Sequence, residues 1–188
     1  MQYATVQELK AYPTGVDYKS ISDEGLDLLL QAASEYIDAE CGHGPGAFIA
    51  SESEERTFDG NGKDLLLLPY AVSVTAVAVD GAAWTTGRWV PYRLYHQGPI
   101  YAVAAVRGLF SRGRQNVAVT GVWGYSSSVP AGIRQATILQ AANFIKEKGA
   151  QAFRMAGNGG ASPGYSSGRT KIDTTINELI RNFRRPIP

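Results

Sequence analysis

The hydrophobic period of this chain changes twice, and that change constrains its fold more than any single motif. From Ser22 to Glu40 apolar residues recur at helical spacing, with Leu26, Leu29, Leu30, Ala33 and Ile37 on one stripe. From Glu54 to Tyr125 the pattern alternates, as where Val72, Val74, Ala76 and Ala78 interleave with Ser73, Thr75, Val77 and Val79. At Pro130 the helical period returns and holds to Lys148. A sheet that begins and ends inside helical sequence predicts an α+β fold. Residues 1–49 and 128–188 are expected to form a helical bundle from the two ends of the chain, and residues 50–127 an inserted small antiparallel β sandwich or barrel-like lobe.

Local signals set the boundaries. Thr5 followed by Glu8 is a capping box, so Val6 to Ala11 reads as a short helix that Pro13, Thr14 and Gly15 end. Ser22 caps the second helix, with Asp23 and Glu24 where its dipole favours negative charge, and Gly42, Gly44, Pro45 and Gly46 close it. In the lobe, Arg56–Phe58 and Leu65–Leu68 are expected to form a hairpin around Asp59, Gly60, Asn61 and Gly62, its second strand halted by Pro69. Further strands are expected over the alternating stretch to Asp80 and at Arg88–Tyr95, Ile100–Val103 and Asn116–Trp123. The helix from Ala131 to Lys148 is apolar around most of its circumference and needs cover on several sides, from its own chain or from a neighbour. Residues 156–168 read as a glycine-rich mobile loop. Asp173 or Thr174 then caps a last helix with a stripe of Ile176, Leu179, Ile180 and Phe183 and with Arg181, Arg184 and Arg185 at its end.

The net charge of +1 conceals an asymmetry. Residues 1–59 carry 3 Lys/Arg against 12 Asp/Glu, residues 60–149 carry 9 against 3, and residues 150–188 carry 6 against 2. The acidic residues fit solvated helix faces, and they equally fit a subunit whose acidic end meets the basic end of the next copy. Apolar runs such as Leu65–Leu68 are too short to span a bilayer, and the N-terminus lacks a signal-peptide pattern, so no membrane partner and no secretion by that route are expected. A single cysteine, Cys41, leaves the fold to be held by burial.

Catalytic chemistry finds little footing, and no catalytic residue, cofactor or metal is expected. Neither His43 nor His96 stands near a positioned nucleophile, which makes a hydrolase the weakest class. Cys41 and His43, with Asp38 and Glu40, fall short of a four-ligand zinc set, and a helix end closed by Gly42 accounts for them. Asp59–Lys63 lacks the full spacing of a phosphate loop, and the glycines at 157–160 follow a helix where a dinucleotide fingerprint follows a strand. Glu52, Glu54 and Glu55 sit consecutively on an expected loop with nothing to fix a glycosidase separation. One binding alternative stands: Trp84, Trp89, Tyr92 and Tyr95 could form an aromatic platform, making the chain a β-sandwich module that holds a glycan or a partner. Arg107, Arg112 and Arg114 flank that region as an electrostatic hint.

Several segments in order carry a family resemblance. Tyr3 to Tyr12, the helix end Tyr36–Gly42, the turn Arg56–Gly60, Leu67-Leu68-Pro69 before the valine-rich strand to Asp80-Gly81, Asn116 to Tyr125, and Val129-Pro130 opening the long helix resemble head-to-tail connector (adaptor) proteins of tailed bacteriophages. The resemblance spans nearly the whole chain; the glycine-rich loop and the Trp84 and Trp89 pair do not match the family pattern. It implies a non-enzymatic structural subunit of the virion neck, assembled in the host cytoplasm. Such a subunit forms a homo-oligomeric ring, usually twelvefold, between the portal and the head-closure or tail protein, with DNA passing through it without sequence-specific contact. On that reading Ile138, Leu139 and Ala142 with Asp23, Glu24, Asp27 and Glu35 are expected at the ring interface. Ile176, Leu179, Ile180 and Phe183 with Arg181, Arg184 and Arg185 are expected to engage the portal.

Overall fold

The structure, a computed structural model, describes residues 1–96, 98–157 and 173–184. In chain order these form α1 (Val6–Ala11), α2 (Asp23–Glu40), β1 (Ser53–Gly60), β2 (Leu65–Val79), β3 (Ala82–Ala83), β4 (Trp89–Arg93), β5 (Ile100–Ala105), β6 (Gly113–Trp123), α3 (Ala131–Gly157) and α4 (Thr174–Ile180), with a 3-10 turn at Arg181–Phe183. The fold is α+β: four helices and a six-stranded open antiparallel sheet among the described residues. The chain divides into two compact units, Met1–Gly46 with Pro130–Pro188, and Ala47–Val129.

In the helical unit both halves of the expected capping box form. The Thr5 hydroxyl accepts from the Glu8 amide at 3.2 Å, and the Glu8 carboxylate accepts from the Thr5 amide at 2.8 Å. Ser22 caps α2 by accepting from the Gly25 amide at 3.2 Å. The stripe of α2 turns Leu26, Leu30, Ala33 and Ile37 inward, and the first three share a core with Ala4, Leu9, Tyr18, Ile138 and Ala141. Helix α3 reaches Gly157, well past the expected end at Lys148, so Ala156 and Gly157 belong to a helix and not to a loop; an isolated glycine such as Gly149 costs a helix only about 1 kcal/mol and does not stop it. The rest of the expected glycine-rich loop, from 158 to 168, lies outside the described residues. Asp173 caps α4 by accepting from the Thr175 amide at 2.8 Å, and α4 packs on α3. Gly132 permits that approach, since a Cβ there would stand 3.3 Å from the Phe183 ring and 3.5 Å from the Leu179 carbonyl oxygen.

In the β unit the strand order is β1-β6-β2-β5-β4, with β3 paired onto β2. This is one open sheet, which corrects the expected sandwich or barrel. Strand β2 explains why a single sheet suffices: its first part pairs with β5 (Leu65↔Ala104 to Ala71↔Ile100) and its second with β6 (Ala71↔Trp123 to Val79↔Val117). The long strand therefore joins the β5–β4 part of the sheet to the β6–β1 part. The core of this unit joins Leu66, Leu68, Val77, Val79, Trp84, Ile100, Val103, Phe110, Val117, Val119 and Trp123.

Pro69 does not halt β2 as expected. It lies between Leu67 and Ala71, where the register with β5 shifts, so no ladder bond is asked of its missing N–H. Nor do β1 and β2 form the expected hairpin. Strand β1 pairs with β6, Ser53↔Val122 to Gly60↔Gly113, and β6 separates the two. Gly121 lets β2 come close beside its register shifts; a Cβ there would stand 2.3 Å from the Ser73 carbonyl oxygen.

Candidate assembly surfaces

The expected portal-binding residues divide by burial. Ile176 and Ile180 are buried within the helical unit, Leu179 and Phe183 are half-buried, and Arg181 and Arg184 are exposed. Arg185 lies outside the described residues. The end of this segment is fixed from two directions: the His43 ring nitrogen Nε2 donates to the Phe183 carbonyl oxygen at 3.0 Å, and the Arg184 guanidinium donates to the Asn177 side-chain oxygen at 2.7 Å. The buried half of the stripe serves its own unit, and the cationic end is what the surface offers.

The expected ring residues divide in the same way. Ile138 and Ala142 are buried in the chain itself and Leu139 is half-buried, on a helix that packs against α1, α2 and α4. Asp23, Glu24, Asp27 and Glu35 are all exposed on α2. Among them stands Leu28, 68% exposed and off the buried stripe. The face is ordered by local bonds: Lys10 pairs with Asp23 at 2.5 Å, Gln2 donates to the Asp27 backbone oxygen at 2.8 Å, and Gln31 donates to Glu35 at 3.1 Å. Between α3 and α1, Arg134 pairs with Glu8 at 3.2 Å. The Thr5 amide and hydroxyl, more than this arginine, hold the Glu8 carboxyl below its ordinary pKa.

Beneath the acidic face lies a buried polar cluster. Asp38 accepts from the Tyr3 hydroxyl at 2.5 Å and from the Gly46 amide at 2.8 Å, yet its burial raises its pKa above the ordinary carboxylate value. Ser34 accepts from the Tyr3 amide at 3.1 Å and donates to the Leu30 carbonyl at 2.8 Å. Burial also pushes the Cys41 thiol up to about 12, so it is not a ready nucleophile. Among the described residues no group of three His, Cys, Asp or Glu side chains is placed to hold a metal ion. No helix among them is long and apolar enough to cross a membrane.

One end of the β unit collects the β1–β2, β3–β4 and β5–β6 connections. The Val106 amide donates to the Arg88 carbonyl at 2.9 Å, the Ala105 amide to Asp64 at 2.7 Å, and the Phe110 amide to Lys63 at 2.9 Å. At the root of the β5–β6 loop, Asn116 donates to Asp80 at 2.9 Å and to the Ser111 carbonyl at 3.0 Å and accepts from the Gly60 amide at 2.9 Å. The Ser111 hydroxyl also donates to Asp80, and these two side-chain bonds hold the Asp80 carboxyl below its ordinary pKa. Phe110 is buried against Trp84, with ring centroids 5.0 Å apart and nearly parallel planes. The loop is thus anchored at its base, while Val106 and Leu109 stand 52% and 59% exposed between the exposed cations Arg107, Arg112 and Lys63.

The aromatic platform considered from the sequence is not assembled as one surface. Trp84 is buried beneath Phe110 and the Arg88 guanidinium, whose carbon lies 4.5 Å from its ring centre, and Trp89 is half-buried against the core. Only Tyr92 and Tyr95 are exposed, and the Tyr95 hydroxyl is hydrogen-bonded to that of Tyr125 at 2.8 Å. Sequence reasoning passed over Leu28, Val106 and Leu109. Leu28 is legible as an apolar residue off the helical stripe, and the other two as apolar residues in a connection between strands.

No family model matches the chain, and no curated protein matches it in sequence. Solved structures do match. A chain from the neck of an empty gene transfer agent (GTA) particle, computed with C6 symmetry, superposes with a TM-score of 0.55 at 20% identity, over 96% of this chain and 92% of that one. A chain from the neck of the native GTA particle, computed with C12 symmetry, gives 0.53 at 18% identity, over 98% and 94%. At such identity the likeness establishes a shared fold. Both neighbours are chains from the necks of GTA particles.

Proposed function

We propose that this chain is a non-enzymatic structural protein of a phage-type virion neck, a head-to-tail connector that acts as one copy in a ring. The observation that carries this reading is the likeness to GTA neck chains over nearly the full length of both partners, in necks computed with C6 and C12 symmetry. A ring that meets a portal is built from copies joined head to tail, and the unlike acidic and basic surfaces of this chain suit such heterologous contacts. We assign the ring twelve subunits, between the portal and the head-closure or tail protein, with DNA passing through without sequence-specific contact and assembly in the host cytoplasm.

In this reading residues 1–49 and 128–188 act as a helical bundle, the connector domain proper, and residues 50–127 as a lobe inserted into it. The exposed arginines Arg181 and Arg184, with Arg185 beyond them and the open edges of Leu179 and Phe183, face the portal; buried Ile176 and Ile180 hold that surface in place. Charge there contributes orientation and association rate more than net affinity. Particles made without this chain are expected to show filled heads and separate tails that fail to join, seen by electron microscopy. Normally joined particles lacking the chain would overturn the proposal.

A further inference from the structure

We propose that the anchored β5–β6 loop of one copy docks on the acidic face of α2 in a second copy of this chain, with Val106 and Leu109 meeting Leu28. The inference rests on the ring reading above and names the surfaces through which it would be built.

Three observations converge on a second copy as the occupant. The first is charge: Met1–Gly46 carries 8 Asp/Glu against 2 Lys, whereas residues 81–129 carry 5 Arg and no carboxylate. The second is that each charged surface has an apolar centre: Leu28 lies among Glu24, Asp27 and Glu35, and Val106 and Leu109 lie beside Arg107 and Arg112. A DNA backbone offers phosphates to arginines but nothing to an exposed leucine and valine, whereas an interface centre with an apolar anchor and a charged rim is what protein surfaces present to one another. The third is preparation: Asn116, Ser111 and Asp80 tie the root of the loop and Phe110 pins it to Trp84, so little freedom is lost when the tip binds.

The two patches differ, so the contact is heterologous and each copy presents both a donor and an acceptor surface, the arrangement that closes into a ring when the rotation per copy allows. Exposed ion pairs each stabilise by only about 0–1 kcal/mol, so the apolar centre holds the contact and the charges set which way round it forms.

Charge reversal tests it, with assembly followed by native mass spectrometry over a concentration series, with and without portal rings. Wild type is expected to appear as multiples of the subunit. Arg107→Glu with Arg112→Glu is expected to weaken assembly roughly tenfold or more, and Leu109→Asp to weaken it further. Adding Glu24→Arg and Asp27→Arg to the reversed loop is expected to recover most of the loss. These substitutions are all on exposed side chains, and circular dichroism checks that each variant is folded. If wild type assembles and the variants assemble equally well, the docking is wrong while the ring reading stands. Weakening that the compensating reversal does not repair shows that these two patches are not partners. Unchanged assembly together with loss of duplex DNA binding in Arg107→Glu would make the loop a nucleic-acid contact instead. A wild type that stays monomeric throughout, portal rings included, overturns the ring reading itself.

Discussion

The two units of this chain solve the problem of a core in opposite ways. The buried non-aromatic polar and charged residues among those described, Ser34, Asp38, Thr137 and Gln140, all lie in the helical unit. The β unit packs aliphatic and aromatic side chains only, with its hydrogen-bonded side chains Asp80, Asn116 and Ser111 kept at the rim. A sheet satisfies its backbone within its own ladders, so its interior needs few polar side chains beyond ring groups such as the Trp123 indole N–H, which donates to the Glu54 carbonyl at 3.0 Å. Helices joined from distant parts of the chain have ends and entry segments to tie down, and Asp38 does this by holding both Tyr3 and the Gly46 amide. The helical unit is therefore expected to respond to pH and to loss of single hydrogen bonds, and the β unit to loss of volume.

The largest test of that contrast is Phe110→Ala. Removing a fully buried ring stacked on Trp84 is expected to destabilise the β unit by about 3–5 kcal/mol. All three tryptophans, Trp84, Trp89 and Trp123, lie in the β unit, so their fluorescence follows its unfolding while helical circular dichroism follows the other unit. A shift confined to the fluorescence transition keeps the two cores distinct; an equal shift in both breaks the comparison.

A smaller effect is expected at Asp38. Asp38→Ala leaves the Tyr3 hydroxyl and the Gly46 amide without their acceptor, a loss of about 1–3 kcal/mol in the helical transition. The pH dependence has a definite sign. The folded pKa of Asp38 is raised, so the native state holds the proton more tightly than the unfolded chain does. Its contribution is greatest below the ordinary carboxylate pKa and falls as pH rises from there through the raised folded value. Asp38→Asn is expected to flatten that fall, in urea titrations at several pH values. Glu8, whose pKa is lowered, acts with the opposite sign: its contribution is present above the ordinary value and is lost as pH drops through the lowered one.

The smallest of the three is Thr5→Ala, which removes one half of the capping box. It is expected to lower the helical transition by about 1 kcal/mol and leave tryptophan fluorescence unmoved.

The helical elements were legible because their signals are local. Thr5 with Glu8, Ser22 with the stripe from Leu26 to Ile37, and Asp173 with Ile176 and Ile180 each lie within a few turns of one another, and each helix begins where its cap placed it, although the last ends at Ile180 and passes into a 3-10 turn before Phe183 and the arginines expected at its end. The sheet was legible as alternation but not as pairing. The choice of β6 over β2 as the partner of β1 is made by residues far along the chain, Val117 to Val122, that no turn signal near Gly60 reveals. Pro69 misled for a related reason, since proline rules out a ladder donor and a register shift removes the need for one. At the candidate surfaces Asp23, Glu24, Asp27 and Glu35 are exposed, because charge resists burial unless it is hydrogen-bonded as Asp38 of the same helix is. The apolar residues were harder to place: the circumference of α3 showed that several sides needed cover, and only the packing of α1, α2 and α4 showed that Ile138 and Ala142 find theirs at home.

The central claim is that this chain closes into a ring on a portal. Its most direct test is the native mass spectrum of the purified chain mixed with portal rings of the same particle. The account expects the mass of the portal ring plus twelve copies of the 20.2 kDa chain, appearing together over a narrow range of added protein. A portal mass that stays unchanged at every ratio, with the chain remaining a separate monomer, would contradict it.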